Sequence, residues 1–260
     1  MTHEAQNEAV RAQFTQQAEP YAKLTAALPQ SGRGHSALFE VLRPSPADTV
    51  LDVACGTGSL TLALARVTRQ VTGIDLTEAM IDQGRAAQAK EGITNVDWQV
   101  GDVLPLPFPD ETFSLVVSKA AFHHLADPAA VLVEMARVCS RGGRIALNDV
   151  GPDPETADAF NRVEKLRDPS HARALTPAQL RSLGQQAGLV ETAFSSQLTP
   201  QLPLEAILAA SFSNPGDMDT VRAQYRADAQ SGANTLGLKA ALVGGQIMIQ
   251  YPMTLVVWQR

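Results

Sequence analysis

The chain has 260 residues, 45% of them apolar and 18% charged, the balance of a soluble protein that buries a substantial core and not that of a disordered chain. Its formal charge of −6, from 21 basic and 27 acidic side chains, argues against a surface built to neutralise phosphates, so no nucleic-acid partner is expected. There is no run of 18 apolar residues, and Met1 to Val10 are polar and acidic, so no membrane span or secretion signal is legible and the expected location is cytoplasmic.

Between Asp48 and Val150 short apolar or β-branched runs alternate with helix-like stretches, the pattern of βαβ units in a parallel sheet. Thr49 to Ala54 reads as a strand, a glycine-containing turn follows, and Leu60 to Arg66 has helical spacing. A second strand ends at Asp75, and Thr77 with Glu78 opens a helix that runs from Ala79 to Lys90. Val96 to Asp102 is a third strand and Phe113 to Lys119 a fourth; Asp127-Pro128 then supplies an N-cap and a first-turn proline for a helix from Ala129 to Cys139. Gly142-Gly143 is expected to end that helix, ahead of a fifth strand from Arg144 to Val150. Beyond Gly151 the alternation lapses: Pro152, Pro154 and Pro169 interrupt a polar helical segment, and Thr176-Pro177 opens a helix to Ala187. Gly188 to Thr199 reads as a sixth strand and Met253 to Arg260 as a seventh, with a mostly helical insertion from Pro200 to Gly245 between them. The expectation is one α/β domain over 1–260, a Rossmann-like seven-stranded, mostly parallel sheet with helices on both faces. Its core comprises 48–150, 176–199 and 246–260, and a helical cap is drawn from 1–47, 151–175 and 200–245.

In an open α/β sheet ligands bind beyond the carboxyl ends of the strands, where strand order reverses. The loop after the first strand, Asp52-Val53-Ala54-Cys55-Gly56-Thr57-Gly58, has glycines that admit a ligand close to the backbone at a helix N-terminus. Asp75 ends the second strand 19 residues after Gly56 and can accept hydrogen bonds from both hydroxyls of a ribose. Together they imply a nucleoside ligand. Thr61 stands where a dinucleotide fingerprint has its third glycine, and no tyrosine is followed four residues later by lysine, so a nicotinamide dehydrogenase is disfavoured. Cys55 and Cys139 lack CxxC or Cys/His spacing, so no metal site and no disulfide are expected.

The runs LDVACGTGSLTLALA, VTGIDLTEAMI, GDVLPLPFPDETFSLVVS and FHHLADPAAVLVEMARVCSRGGRIALND resemble the successive motifs of class I S-adenosylmethionine-dependent methyltransferases, in the small-molecule subgroup similar to quinone-biosynthesis enzymes. The resemblance covers Asp48 to Val150, about two fifths of the chain. It departs from the family pattern at Ser114, where aspartate is common, and at Arg141, where proline is usual. It implies S-adenosylmethionine as cofactor and S-adenosylhomocysteine as product. Asp52, Ala54, Gly56, Thr57 and Gly58 would surround the amino-acid part of the cofactor, and Asp75 would hold the ribose. Asp102 would receive the adenine amino group, and Leu76, Met80, Gly101, Val103 and Lys119 would complete the pocket. Phe14 to Leu24 is similar to an N-terminal segment of the family in which an aromatic near Tyr21 folds over the cofactor.

His123 and His124 follow the fourth strand and Asp149 ends the fifth, at the edge where a transferred methyl would emerge, so these three are the candidate catalytic bases. Structural roles, in packing and in capping turns, compete with that reading; His124 is favoured over His123 because Leu125 beside it looks like the core anchor. His171 is expected at a solvated helix position. Leu202, Leu204, Ile207, Leu208 and Phe212 at helical spacing suit an apolar acceptor and a plain core face equally. The expected reaction is methyl transfer to an oxygen, nitrogen or carbon nucleophile of a small molecule, with a homodimer allowed. The rival readings are elimination, rearrangement or dehalogenation on the same cofactor-binding fold, and a non-catalytic binding subunit.

Overall fold

The computed structural model of the protein describes residues 2–27 and 33–260; residue 1 and residues 28–32 of the expected cap lie outside the described residues. The apolar runs read from the sequence pair as strands: β1 (Thr49–Val53), β2 (Gln70–Asp75), β3 (Val96–Val100), β4 (Phe113–Lys119) and β5 (Cys139–Val150) are parallel. β10 (Pro252–Gln259) lies antiparallel to β5, and β6 (Val190–Leu198) antiparallel to β10, giving the order β3-β2-β1-β4-β5-β10-β6. The central strands are nearly continuous apolar runs because helices cover both faces. One core packs Leu51, Val53, Val116 and Ile145 against α5 (Pro128–Val138) and α7 (Pro177–Gln186); the other packs Val50, Leu115, Val117 and Leu255 against α2 (Arg33–Leu42) and α3 (Ser59–Ala65). α4 (Glu78–Glu91) follows β2.

Two of the expected helix starts carry side-chain caps, while Thr77 ahead of α4 makes none. Asp127 caps α5 by accepting from the Ala130 amide at 2.9 Å, with Pro128 in the first turn, and Thr176 and Gln179 form a reciprocal capping box on α7. One expected end is corrected: α5 stops at Val138, and Gly142-Gly143 belong to β5, where the register against β4 shifts. A Cβ on Gly143 would stand 2.7 Å from Cys139 Sγ and 2.9 Å from the Ser114 carbonyl oxygen, so the shift requires glycine there.

The cap contains α6 (Ala157–Arg167), α8 (Leu204–Ala209) and α9 (Asp217–Ser231) around a third apolar cluster. It also holds a three-stranded antiparallel sheet of β7 (Leu202–Pro203), β9 (Gln246–Ile249) and β8 (Ala241–Val243), in place of a purely helical insertion. Gly244-Gly245, at φ 57° and 83°, make the two-residue turn that joins Val243 to Gln246. Gln246–Ile249, read as core, is therefore part of this cap sheet. Leu204 and Leu208 are buried with Phe160 and Tyr225 in the cap's own core and Ile207 packs against it, whereas Leu202 lies in β7 and Phe212 is exposed. α1 (His3–Ala27) crosses the carboxyl edge of the sheet and packs against α4. Among the described residues no helix is long and apolar enough to cross a membrane.

Candidate active site

Strand order reverses between β1 and β4, and a cavity of about 530 Å³ opens at the carboxyl ends of these strands. Of the expected cofactor residues, Tyr21, Asp52, Ala54, Gly56, Thr57, Asp75, Leu76, Met80, Asp102, Val103 and Lys119 line it. Gly58 and Gly101 do not. Gly58 precedes α3 at φ 78°, and a Cβ there would lie 2.3 Å from the Trp98 ring; the Gly101 amide donates to the Asp75 carbonyl and turns the chain after β3.

Asp75 organises the loop. Its Oδ2 accepts from the Gly56 amide at 2.8 Å and its Oδ1 from the Thr77 amide at 2.9 Å, which leaves lone pairs on both oxygens for a ligand. Burial raises its pKa against those two hydrogen bonds. Ala54 and Gly56 both adopt left-handed backbone, φ 54° and 55°, and at Ala54 this stores roughly 1–3 kcal/mol. Nothing approaches within 4 Å of a Cβ built on Gly56, so the loop stays open above that residue. Thr61, which the sequence set against a dinucleotide, is buried, and its hydroxyl donates to Asp52 Oδ2 at 2.6 Å. Burial pushes Asp52 up to about 7 against that bond and against Lys119.

Lys119, at the end of β4, is held below the usual lysine range by burial, opposed by Asp52. Its Nζ donates to His35 Nε2 across 3.3 Å, and burial, then Lys119, keeps His35 neutral by lowering it to about 4. Among the described residues no carboxylate pairs with this ammonium. Asp102 receives the Leu104 amide on Oδ1 at 3.1 Å; its Oδ2 meets His3 Nε2 at 2.8 Å and Asn7 Nδ2 at 2.6 Å, both from α1.

The catalytic candidates separate. His123 Nδ1 pairs with Asp149 Oδ1 at 2.6 Å, and Asp149 also accepts the amides of Ala121, Phe122 and Val150. Burial would lower His123, but Asp149 outweighs it and the net shift is upward; burial would raise Asp149, but His123 and the amides hold it down. Neither side chain is among those lining the cavity, whereas His124 is. Phe14 from α1 stands edge-on to the His124 ring at 4.9 Å. Burial, then the neighbouring His123, lowers His124 to about 4. His171 is corrected: it is buried in the connection between α6 and α7, with its Nε2 2.7 Å from Asn161 Oδ1, because that turn packs directly behind the two histidines.

Sequence reasoning missed His35 and Phe39 on α2 and Asn7 and Val10 on α1, all cavity residues. No local motif marks them; only the folding of these helices over the strand ends brings them there. The departures from the family pattern have local partners instead: Ser114 Oγ donates to Asp48 Oδ1 at 2.7 Å, and Arg141 pairs with Glu111 at 3.1 Å, both away from the cavity.

A family model described as "Methyltransferase domain" matches residues 51–147. The uncharacterized methyltransferase YcgJ of Bacillus subtilis is 36% identical over 126 residues, 48% of this chain and 50% of that protein. The uncharacterized protein YafE of Escherichia coli is 33% identical over 151 residues, 57% of this chain and 71% of that protein. The demethylmenaquinone methyltransferase of Symbiobacterium thermophilum is 40% identical over 103 residues, 38% and 41% of the two chains. The chain thus spans half the length of YcgJ and about two fifths of the menaquinone enzyme. The solved structure of YcgJ superposes with a TM-score of 0.76 over 86% of this chain and 97% of that one at 22% identity, and shares its fold. Because the matched segment runs from β1 to β5, the strands that build the cavity, the chain belongs to the class I S-adenosylmethionine-dependent methyltransferases.

Proposed function

We propose that the cavity binds S-adenosylmethionine and that the protein transfers its methyl group to a hydroxyl, amine or carbon nucleophile of a small molecule. The observation that carries the reading is the set of charges lining one cavity, the carboxylates Asp52, Asp75 and Asp102 with the ammonium of Lys119, which forms no ion pair among the described residues. A ligand with an adenine, a ribose diol and an amino-acid zwitterion answers each group in turn. Asp75 would accept from the ribose hydroxyls, Asp52 from the α-ammonium, and Lys119 would donate to the α-carboxylate. Leu76, Met80 and Val103 would flank the base, with Asp102 toward its amino group.

When bound, S-adenosylmethionine supplies a methyl group already activated for displacement by its sulfonium. The protein's part is then to hold the nucleophile in line and exclude water. Phe14, Tyr21 and Phe39 wall the cavity against solvent. The net charge of −6 and a cavity of about 530 Å³ support a small acceptor, as does the likeness to a demethylmenaquinone methyltransferase. The test has two parts. Calorimetry with S-adenosylhomocysteine should give saturable one-to-one binding, and methyl-labelled S-adenosylmethionine with a panel of quinols, phenols and amines should yield labelled product together with S-adenosylhomocysteine. Absence of binding in a folded protein would refute the assignment.

A further inference from the structure

The proton on the His124 ring can be placed from its neighbours. Nδ1 stands 3.2 Å from the Ser170 carbonyl oxygen and 3.2 Å from the Ser170 hydroxyl oxygen. The hydroxyl has a single proton, and it is given to Asp168 Oδ1 at 2.6 Å. Asp168 is itself held: Oδ1 accepts the Ser170 amide at 2.8 Å and Oδ2 accepts Gln17 Nε2 at 3.4 Å. Both atoms that face Nδ1 therefore act as acceptors toward it, the carbonyl oxygen also taking the Gln6 amide, so Nδ1 makes a hydrogen bond here only as an N–H. In a neutral imidazole Nε2 then carries the lone pair. Nε2 has no hydrogen-bond partner among the described residues and is not fully shut off from solvent, and His124 is one of the residues that line the cavity.

The N-terminal helix closes this arrangement. Gln6 Nε2 donates to the His124 carbonyl at 2.8 Å and to the Ser170 carbonyl at 2.6 Å, tying the turn after β4 to the turn after α6. Phe14 fixes the ring edge-on.

We propose that Ser170 and Asp168 are positioning residues that hold His124 in its Nδ1–H tautomer, and that His124 Nε2 accepts a hydrogen bond from the hydroxyl or N–H of the methyl acceptor. The proposal rests on the methyl-transfer reading of the cavity and narrows it to acceptors that carry a proton on oxygen or nitrogen at the site of reaction. As the acceptor atom bonds to the methyl carbon, the carbon–sulfur bond breaks onto sulfur, and the acceptor's proton passes to Nε2. The products are the methylated acceptor, a neutral thioether and an imidazolium that returns its proton to water on release. Burial and the His123 ring keep His124 neutral at physiological pH, with Asp168 and Asp149 pulling the other way and the His171 ring 6.3 Å off. The lone pair is therefore always available, and the transfer is driven by the acidity that the X–H group acquires as its methyl bond forms.

The proton's position is measurable without knowing the acceptor. In protein labelled with ¹⁵N-histidine and saturated with S-adenosylhomocysteine, long-range ¹H–¹⁵N correlation at pH 7 should show a pyrrole-like Nδ1 and a pyridine-like Nε2 for His124, assigned by their loss in His124→Gln. Asp168→Ala removes the acceptor and releases the Ser170 hydroxyl to donate toward Nδ1, and should move the population toward Nε2–H, with cofactor affinity unchanged within about twofold. Phenol should move the Nε2 resonance, whereas anisole, which has no donor, should leave it in place. An Nε2–H tautomer in the wild type overturns the proposal whatever the variants do, as does an identical response to phenol and anisole. Calorimetry separates the two levels: if S-adenosylhomocysteine binds and the tautomer is wrong, only this proposal falls; if it does not bind, the methyl-transfer reading falls too.

Discussion

Asp75 and Lys119 both line the cavity, but their protein environments differ. Asp75 anchors two backbone amides of the loop it faces, so Asp75→Ala removes both a ligand contact and the loop's anchor. S-adenosylhomocysteine affinity should fall roughly ten- to hundredfold, the worth of about 1.5–3 kcal/mol in charge-assisted hydrogen bonds, and the ligand-free protein should also melt earlier. Among the described residues Lys119 makes one hydrogen bond, to a neutral His35, and is attracted by Asp52. Lys119→Met removes both a half-buried ammonium with no ion pair among the described residues and its attraction to Asp52, so the ligand-free protein should change by no more than about 1 kcal/mol in either direction, while calorimetry shows weaker cofactor binding. Equal affinity in wild type and Lys119→Met would remove the carboxylate assignment. His171 gives the acid response: burial lowers it from 6.5 to about 2. Below pH 6.5 the unfolded chain takes up a proton that the folded one refuses, so stability falls as pH drops. The slope for one such proton is at most about 1.4 kcal/mol per pH unit. Urea unfolding of His171→Gln between pH 4.5 and 6 should show a slope flatter by up to that amount.

At the scale of elements, two tryptophans explain glycines that propensity alone would misjudge. Gly184 lies inside α7, where Ala would favour the helix by about 1 kcal/mol. A Cβ there would meet Trp258 Nε1 at 2.0 Å, and Trp258 is fully buried at the β10 end of the core. An indole locked in a packed core cannot withdraw, so Gly184→Ala should destabilise by roughly 1–3 kcal/mol, read as a lower midpoint in denaturant with an unchanged slope. On the other edge of the sheet, Trp98 on β3 would meet a Cβ on Gly58 at 2.3 Å and one on Gly84 at 2.7 Å. Gly58 lets the start of α3 pack on that ring. The cap sheet has a legible sign in the Gly244-Gly245 pair between ALV and QIMI, whereas the apolar spacing upstream of it is helical.

For the molecule as a whole, the polar helix α1 covers the cavity with few apolar side chains, Val10, Phe14 and Tyr21 at the cavity and Ala18 buried, and with buried glutamines at positions 6, 13 and 17. Such an element opens at little cost, and ligand beneath it should hold it shut. Hydrogen exchange should slow across α1 on saturation with S-adenosylhomocysteine and stay constant in α9, which packs in the cap's own core; equal protection of α1 with and without ligand would show that it is not a lid. The sequence by itself determined the parallel strands, the loop after β1 and the acids that end β1 and β2, because each is written within a few residues: apolar runs make buried strands, and a residue at a strand's end must lie at the sheet's edge. Tertiary structure decided which of two adjacent histidines reaches the cavity. Their neighbours in the chain are the same, while their partners, Asp149 on β5 for one and Ser170 behind α6 for the other, are 26 and 46 residues away. It likewise decided that α1 and α2 supply cavity walls, since a polar helix carries no local mark of the surface it will cover until the sheet beneath it has formed.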